Sequence, residues 1–235
     1  MLNIKVAKTA GFCFGVQRAV DLVYNNIGSK EPIYTLGPIT HNEQVVEDLA
    51  KKGVKVVENP EELKDLPKGT IIIRAHGIPK KLYDELSSYG HNIIDATCPF
   101  VKKIHKIVEK EKKRHIIIVG NPDHPEIKGI MGWCNDENYT VIQDIEEAKN
   151  LNLPTDLQLC IVAQTTYNYI RFQELVEIIS KKGYDIFVFN TICSATQQRQ
   201  QEAYELAKVS DAMIVIGGKD SSNTRKLYEI CKSEC

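Results

Sequence analysis

The chain has 235 residues, of which 43% are hydrophobic, and its 30 basic and 31 acidic side chains give a net charge of -1. This composition is typical of a globular protein, and the charge balance excludes the strongly basic surface expected of a nucleic-acid-binding protein. No apolar run approaches the ~18 residues of a membrane span, and the N-terminus lacks a signal-peptide core, so we expect a cytoplasmic protein that contacts no membrane.

Apolar segments of strand length alternate along the chain with amphipathic segments of helical period. This alternation predicts an α/β fold whose strands are largely parallel. In chain order, the predicted strands are residues 33–36, 53–57, 70–75, 91–95, 115–120, 139–142, 157–163, 184–190 and 211–217. The predicted helices are residues 16–26, 42–52, 80–89, 99–112, 169–182, 195–208 and 223–232.

Three cysteines mark a repeat in this pattern. Cys13 in AGFCFGV, Cys98 in DATCPFV and Cys193 in NTICSAT each stand where a helical segment begins, and a helix, a strand and a polar segment follow each of them. The repeat divides the chain into α/β units at 1–97, 98–192 and 193–235. It also predicts another strand-end segment at about position 260, beyond Cys235, so we expect the third unit to be incomplete.

Polar side chains recur at nearly equal spacings from the three cysteines. His41 in the first unit, His124 in the second and Ser221 in the third each follow the helix and strand after their cysteine. A second position, one strand further on, holds His76 in the first unit and Thr165 in the second. Imidazoles, hydroxyls and helix N-termini beyond the ends of parallel strands can donate many hydrogen bonds to a phosphate. Further donors of the same kind are Ser222 and Asn223.

The three cysteines in register are better explained as metal ligands than as disulfide partners, because a reducing compartment disfavours disulfides. Helix N-termini are expected to lower the pKa of their thiols. If the units surround a pseudo-threefold axis, three thiolates without an obvious fourth ligand fit either a catalytic zinc or an iron–sulfur cluster with one open iron. The alternative for any single cysteine is a small packed residue, which we expect for Cys160 within its strand.

Glu126, which closely follows His124, is the carboxyl group best placed to deliver a proton in this donor-rich region. Burial would raise its pKa toward that role. The alternative is a carboxylate that only interacts favourably with a helix dipole.

Eight segments in order resemble the LytB (IspH) family of 4-hydroxy-3-methylbut-2-enyl diphosphate reductases. They are AGFCFGVQRAV, GPITHNEQVV, RAHGIP, DATCPFVKK, GNPDHPEIKGI, AQTT, NTICSATQQRQ and GGKDSSNT. The resemblance implies a trefoil-like arrangement of three α/β units around a central iron–sulfur site. It also implies the last step of the methylerythritol phosphate route, in which an allylic diphosphate loses its hydroxyl to give isopentenyl and dimethylallyl diphosphates.

The resemblance further implies residue roles and partners. A [4Fe–4S] cluster with one open iron would be held by Cys13, Cys98 and Cys193. The diphosphate would be bound by His41, His76, His124, Ser221, Ser222 and Asn223. Glu126 would supply a proton with the help of Thr165 or, alternatively, Thr166, and ferredoxin or flavodoxin would donate electrons. The family has a further serine motif that binds the diphosphate, and it matches the segment expected at about position 260, beyond Cys235. We therefore expect this chain to bind substrate more weakly.

Two other functions remain open at the level of sequence. A zinc hydrolase could use the three cysteines and a water, in which case the protein would contain metal without acid-labile sulfide. A cluster- or diphosphate-binding module with impaired activity, because its C-terminal part is missing, would hold a cluster without turnover. A dinucleotide-binding fold is poorly supported, since GGKDSSNT does not match G-x-G-x-x-G.

Overall fold

The strands form two parallel sheets with the same strand order. The computed structural model describes residues 3–135 and 138–235. In the first sheet, β1 (Ile33–Leu36), β2 (Val54–Val57), β3 (Thr70–Ile73) and β4 (Asn92–Asp95) lie in the order β2-β1-β3-β4. In the second, β5 (His115–Val119), β6 (Tyr139–Ile142), β7 (Gln158–Ala163) and β8 (Asp185–Val188) lie in the order β6-β5-β7-β8. The described strand pairs are all parallel, as the alternating pattern predicts.

Helices connect the strands and cover both faces of each sheet. They are α1 (Phe14–Tyr24), α2 (Glu43–Lys51), α3 (Lys80–Leu86), α4 (Pro99–Lys110), α5 (Pro125–Met131), α6 (Ile145–Asn150), α7 (Tyr169–Ser180), α8 (Ser194–Ala207) and α9 (Ser222–Glu234), with 3-10 segments at Pro60–Lys64 and Ser87–Tyr89. The seven predicted helices are present. α5 and α6 were not predicted, because 7 and 6 residues give too little periodicity to detect.

The two sheets are buried on both faces, which explains why their central strands are continuous apolar runs rather than alternating ones. In the first sheet, Ile72 packs with α1 and α2, while its neighbour Ile71 packs on the other face with α3. In the second, Ile118 packs with α4 and α5, while Ile117 packs with α7. All four isoleucines are fully buried. The helices α1 and α4, whose N-cap residues are Cys13 and Cys98, therefore each cover one face of a sheet of the same strand order.

The prediction of a ninth strand at 211–217 is wrong. Within the part of the chain that the structure describes, no strand pairs with this segment, and Ile214 and Ile216 are 86% and 90% exposed. A strand requires a neighbour to satisfy its backbone hydrogen bonds, so a continuous apolar run alone did not produce one. Instead α8 and α9 pack together around Ala207 and Cys231.

The division of the chain into α/β units at 1–97, 98–192 and 193–235 stays a prediction. None of the described helices is both long and apolar enough to cross a bilayer.

Candidate active site

Each of the three cysteines in the repeat occupies the N-cap position of a helix. Cys13 precedes α1, Cys98 precedes α4 and Cys193 precedes α8. The backbone N–H of Cys98 donates to the carbonyl oxygen of Ala75 at 2.9 Å, and that of Cys193 donates to Thr165 at 3.1 Å. Each of these two hydrogen bonds joins a cysteine to the end of a neighbouring strand, so the register found in the sequence corresponds to a repeated local geometry.

One cavity of about 600 Å³ brings the predicted site residues together. Its lining includes Cys13, Cys98, Cys193, His41, His76, His124, Glu126, Thr165, Ser221, Ser222 and Asn223. The N-termini of α1 and α4 meet closely here, because a Cβ atom on Gly15 of α1 would lie only 2.5 Å from the Sγ of Cys98. Any larger residue at this point of α1 would have to displace the Cys98 side chain, whereas glycine leaves that side of the sulfur uncovered.

Burial controls the pKa of two of the three thiols. It raises the pKa of Cys98 above its usual value, and the backbone N–H groups of Phe100 and Val101 oppose this only in part. Burial likewise raises the pKa of Cys193, although the Thr196 hydroxyl and N–H lower it. The N–H groups at the helix starts lower these pKa values as expected, but burial outweighs them, so the expected net lowering does not occur. Metal binding must displace the thiol protons, which makes it dependent on pH.

Three imidazoles form a cluster in the cavity. The ring centroids of His41 and His76 are 4.8 Å apart, and His124 lies 5.8 Å and 5.3 Å from them. The Nε2 of His41 and the Nδ1 of His76 are buried and have no hydrogen-bond partner among the described residues. The Nδ1 of His124 accepts the Glu126 backbone N–H at 3.1 Å, which leaves its Nε2 free for a ligand. Since one nitrogen per ring lies within 4.8 Å of the others, this cluster could also hold a metal ion.

The three histidines are neutral near pH 7. Burial lowers the pKa of His124 to about 4, with the nearby His41 and Arg74 adding to the effect. Burial also lowers the pKa of His76 well below its usual value, and it lowers that of His41, where Arg74 adds to the effect and Asp220 opposes it. The cluster therefore offers N–H donors and lone pairs rather than fixed positive charge.

Glu126 is the buried acid of the site, with 2% of its surface exposed. One carboxyl oxygen lies 2.6 Å from the Thr165 backbone nitrogen, and the other lies 2.8 Å from the Thr165 hydroxyl oxygen. Burial raises the pKa of Glu126 to about 7, although both contacts with Thr165 lower it. The group therefore exchanges a proton near neutral pH. Thr166 instead lies 2.9 Å from the Ser222 hydroxyl, so Thr165 is the threonine that contacts the acid.

The segment that leads into α9, together with the first residues of α9, contacts this site. A Cβ atom on Gly218 would overlap the carbonyl oxygen of His41, so the backbones approach each other directly. The side chain of Gln164 donates to Thr166 at 3.1 Å and to Ser222 at 3.4 Å. Sequence reasoning assigned no role to Gln164 or Arg74, although they belong to the segments AQTT and RAHGIP. They act on the site from beside it, Gln164 through these hydrogen bonds and Arg74 through its charge near the histidines.

Comparison with known proteins agrees with the motifs. The family model described as LytB protein matches residues 4–235. The chain is 51% identical to the 4-hydroxy-3-methylbut-2-enyl diphosphate reductase of Thermoanaerobacter sp. (strain X514), over 100% of the chain and 82% of that protein. It is 48% identical, with the same coverage, to the reductase of that name from Caldanaerobacter subterraneus subsp. tengcongensis. The chain belongs to the LytB family.

Solved structures similar to this LytB-family chain have the same fold. The E-1-hydroxy-2-methyl-but-2-enyl-4-diphosphate reductase of Plasmodium falciparum has a TM-score of 0.88 and 30% identity, over 95% of this chain and 71% of that one. A second, described as the terminal enzyme of the non-mevalonate pathway, has a TM-score of 0.72 and 40% identity, over 99% and 83%. The predicted α/β trefoil-type fold, the family and the assignment to the reductases are confirmed.

Membership of the LytB family implies an iron–sulfur group, and the residues present fit one. Three thiols, none of them in a disulfide, are half-buried at helix N-caps around the same cavity. The cysteines outside the register do not form a second set of this kind. Burial raises the pKa of Cys134 and Cys160 to about 12, so these two remain protonated thiols within the core of the second sheet. Cys231 is buried between α8 and α9, apart from the three helix N-caps.

Proposed function

We propose that this cavity converts (E)-4-hydroxy-3-methylbut-2-enyl diphosphate to isopentenyl and dimethylallyl diphosphates. Two electrons and two protons enter the reaction, the allylic C–O bond breaks, and the hydroxyl oxygen leaves as water. The observation that carries the proposal is the convergence of three capping cysteines, three neutral imidazoles and a protonatable carboxyl group in one cavity. The relatives named for this reaction match the chain over its whole length.

The proposed cofactor site consists of Cys13, Cys98 and Cys193. A [4Fe–4S] cluster held by three cysteines would supply electrons and one iron that is open to a substrate oxygen. The thiols must lose their protons to serve as ligands, and their half-buried position limits the access of bulk water to the group they hold.

The histidine cluster is the proposed diphosphate site. The unpaired nitrogens of His41 and His76 can bind phosphate oxygens without breaking any protein hydrogen bond. The start of α9 adds the hydroxyls of Ser221 and Ser222 and the amide of Asn223, beside a helix N-terminus whose dipole favours an anion. A bound diphosphate would in turn favour imidazolium, because an opposite charge stabilises the protonated ring.

Glu126 is the proposed proton source. Its pKa of about 7 leaves a large protonated fraction at neutral pH. Thr165 holds the carboxyl group through its N–H, and the Thr165 hydroxyl can pass a proton between the acid and the cavity. Electrons would come from a ferredoxin or flavodoxin. The expected cytoplasmic location and the absence of nucleic-acid binding remain predictions.

The experiment that tests the proposal is anaerobic reconstitution with iron and sulfide, followed by metal and sulfide assays, electron paramagnetic resonance and turnover driven by dithionite. We expect the chain to bind a cluster whose spectrum shifts when the diphosphate substrate is added. Cys98→Ser should abolish stable cluster assembly, whereas the exposed Cys235, replaced in Cys235→Ser, should be dispensable. Glu126→Gln should keep the cluster and the substrate-induced spectral shift but lose most of its turnover.

Each alternative gives a different result in the same experiment. A zinc hydrolase would contain zinc without acid-labile sulfide, and a non-catalytic module would bind the cluster and the diphosphate without turnover. Full activity of Glu126→Gln would remove this residue from the mechanism.

A further inference from the structure

Three aromatic side chains are exposed beside two of the cysteines. Phe12 and Phe14 flank Cys13 and are 40% and 68% exposed, and Phe100, which closely follows Cys98, is 40% exposed. The two groups adjoin each other, because the residue after Phe14 is Gly15, which lies directly against the Cys98 sulfur. Large apolar side chains grouped at a surface mark interaction sites, whereas single exposed ones are ordinary.

Lysines extend this surface along α4. Lys103 and Lys106 are exposed about one and two turns after Phe100. The nearest carboxylate on the preceding strand, Asp95, is paired with Lys102 at 2.6 Å, so it does not neutralise them. The exposed Asp21 lies two turns along α1 from Phe14. The two exposed lysines outnumber this one exposed carboxylate, so the surface they border is locally basic. We call Phe12, Phe14, Phe100, Lys103 and Lys106 the aromatic–lysine patch.

We propose that the aromatic–lysine patch is the docking surface for a small acidic electron-carrier protein. The proposal rests on the proposed function, which requires an external source of two electrons. Each docked carrier is oxidised by one electron, and two successive encounters supply the pair consumed when the C–O bond breaks. With these two electrons, the reaction takes up two protons and releases one water, so its atoms and charges balance.

The position of the patch favours this partner over others. Electron transfer between proteins slows steeply with distance, and the aromatic residues directly adjoin two of the proposed cluster ligands. Lysines at the border of an apolar contact steer an oppositely charged partner and raise its association rate at low ionic strength. Complexes between redox partners are small and transient, so a patch of a few residues is large enough. An acidic carrier therefore fits both the charge and the location.

The test compares two reductants on the cluster-loaded chain. Dithionite is small and needs no docking surface, whereas reduced ferredoxin of net negative charge does. Phe14→Ala and Lys103→Glu are suitable variants, because neither side chain lines the cavity. Matched controls are Ile170→Ala, at a residue that is 74% exposed on α7, and Lys51→Glu, at an exposed lysine on α2.

We expect each patch variant to lose about tenfold in kcat/KM with ferredoxin while its dithionite rate is unchanged. Truncation of a central aromatic anchor can have an effect of this size, and reversal of a border lysine slows the association of a negatively charged partner. Lys103→Glu should also weaken the dependence of the ferredoxin rate on salt. A binding titration with oxidised ferredoxin, which involves no turnover, should show the same loss of affinity. The control variants should behave like the unmodified chain with both reductants.

Two results would overturn the proposal: ferredoxin rates and affinities that do not change in the patch variants, or equal losses with both reductants. A cluster-loaded chain that is inactive even with dithionite would instead contradict the proposed function. The binding titration would still test the patch in that case, so the two failures are distinguishable.

Discussion

The buried carboxyl group of Glu126 predicts that the stability of the metal-free chain depends on pH in a specific direction. Burial raises the pKa of Glu126 from 4.5 to about 7. The folded chain therefore binds this proton more tightly than the unfolded chain does. Its contribution to stability is fully present below pH ~4.5 and is lost as the pH rises through ~7. The difference between the two pKa values corresponds to about 3 kcal/mol in the free energy of unfolding.

The variant Glu126→Gln isolates this effect. Glutamine has nearly the same shape, its oxygen can accept the Thr165 N–H, and it carries no charge at any pH. We expect the variant to be about 3 kcal/mol more stable than the unmodified chain at pH 8, and to differ from it by less than about 1 kcal/mol at pH 5. Urea unfolding of the reduced, metal-free proteins measures both values. The exposed Glu47, replaced in Glu47→Gln, serves as the control. Parallel pH profiles for Glu126→Gln and the unmodified chain would refute the reasoning.

Three further predictions concern the cavity and its support. Gly15→Ala should impair cluster assembly, measured by bound iron and sulfide, because its Cβ atom would lie 2.5 Å from the Cys98 sulfur. The control Gly129→Ala is also in a helix, but the nearest atom to its Cβ would be 3.5 Å away, so it should assemble the cluster normally. Thr191→Val should lower the free energy of unfolding by roughly 2–4 kcal/mol, since the buried hydroxyl both accepts from and donates to the backbone at the end of β7 at 2.8 and 2.6 Å. Binding of inorganic diphosphate should be accompanied by proton uptake, because the anion favours the protonated imidazoles, and His41→Asn should take up less. Calorimetry in buffers of different ionisation enthalpy measures this uptake. Equal uptake in both proteins would contradict the role of the imidazoles.

Local signals in the sequence were sufficient to predict most elements and to select residues that line one cavity. Strand-length apolar runs and helical periods depend on neighbouring residues only, and the cysteine register placed His41 and Ser221 correctly around one cavity. The contact between Gly15 and the Cys98 sulfur was not predictable, because it depends on how two units meet. The same holds for Gln164, whose partner Ser222 is distant in sequence.

Two expectations failed because they considered one physical effect where two compete. The segment 211–217 has the continuous apolar run of a buried strand, but hydrogen bonding requires a neighbouring strand, and among residues 3–135 and 138–235 it has none. The pKa values of Cys98 and Cys193 were expected to fall at helix N-termini, yet burial has the larger influence and raises them. Neither the burial of a thiol nor the pairing of a strand can be inferred from a short sequence motif.

The distribution of the three capping cysteines along the chain has a consequence for assembly. A group bound to all three sulfurs closes two long loops, one from Cys13 to Cys98 and one from Cys98 to Cys193. Joining the ends of such loops lowers the conformational entropy of the unfolded chain, so the bound group would stabilise the fold of residues 13–193. The third ligand is synthesised after β8, the last strand of the second sheet. A group held by all three cysteines could therefore bind fully only after both sheets have been synthesised, which would couple its insertion to the folding of the two sheets.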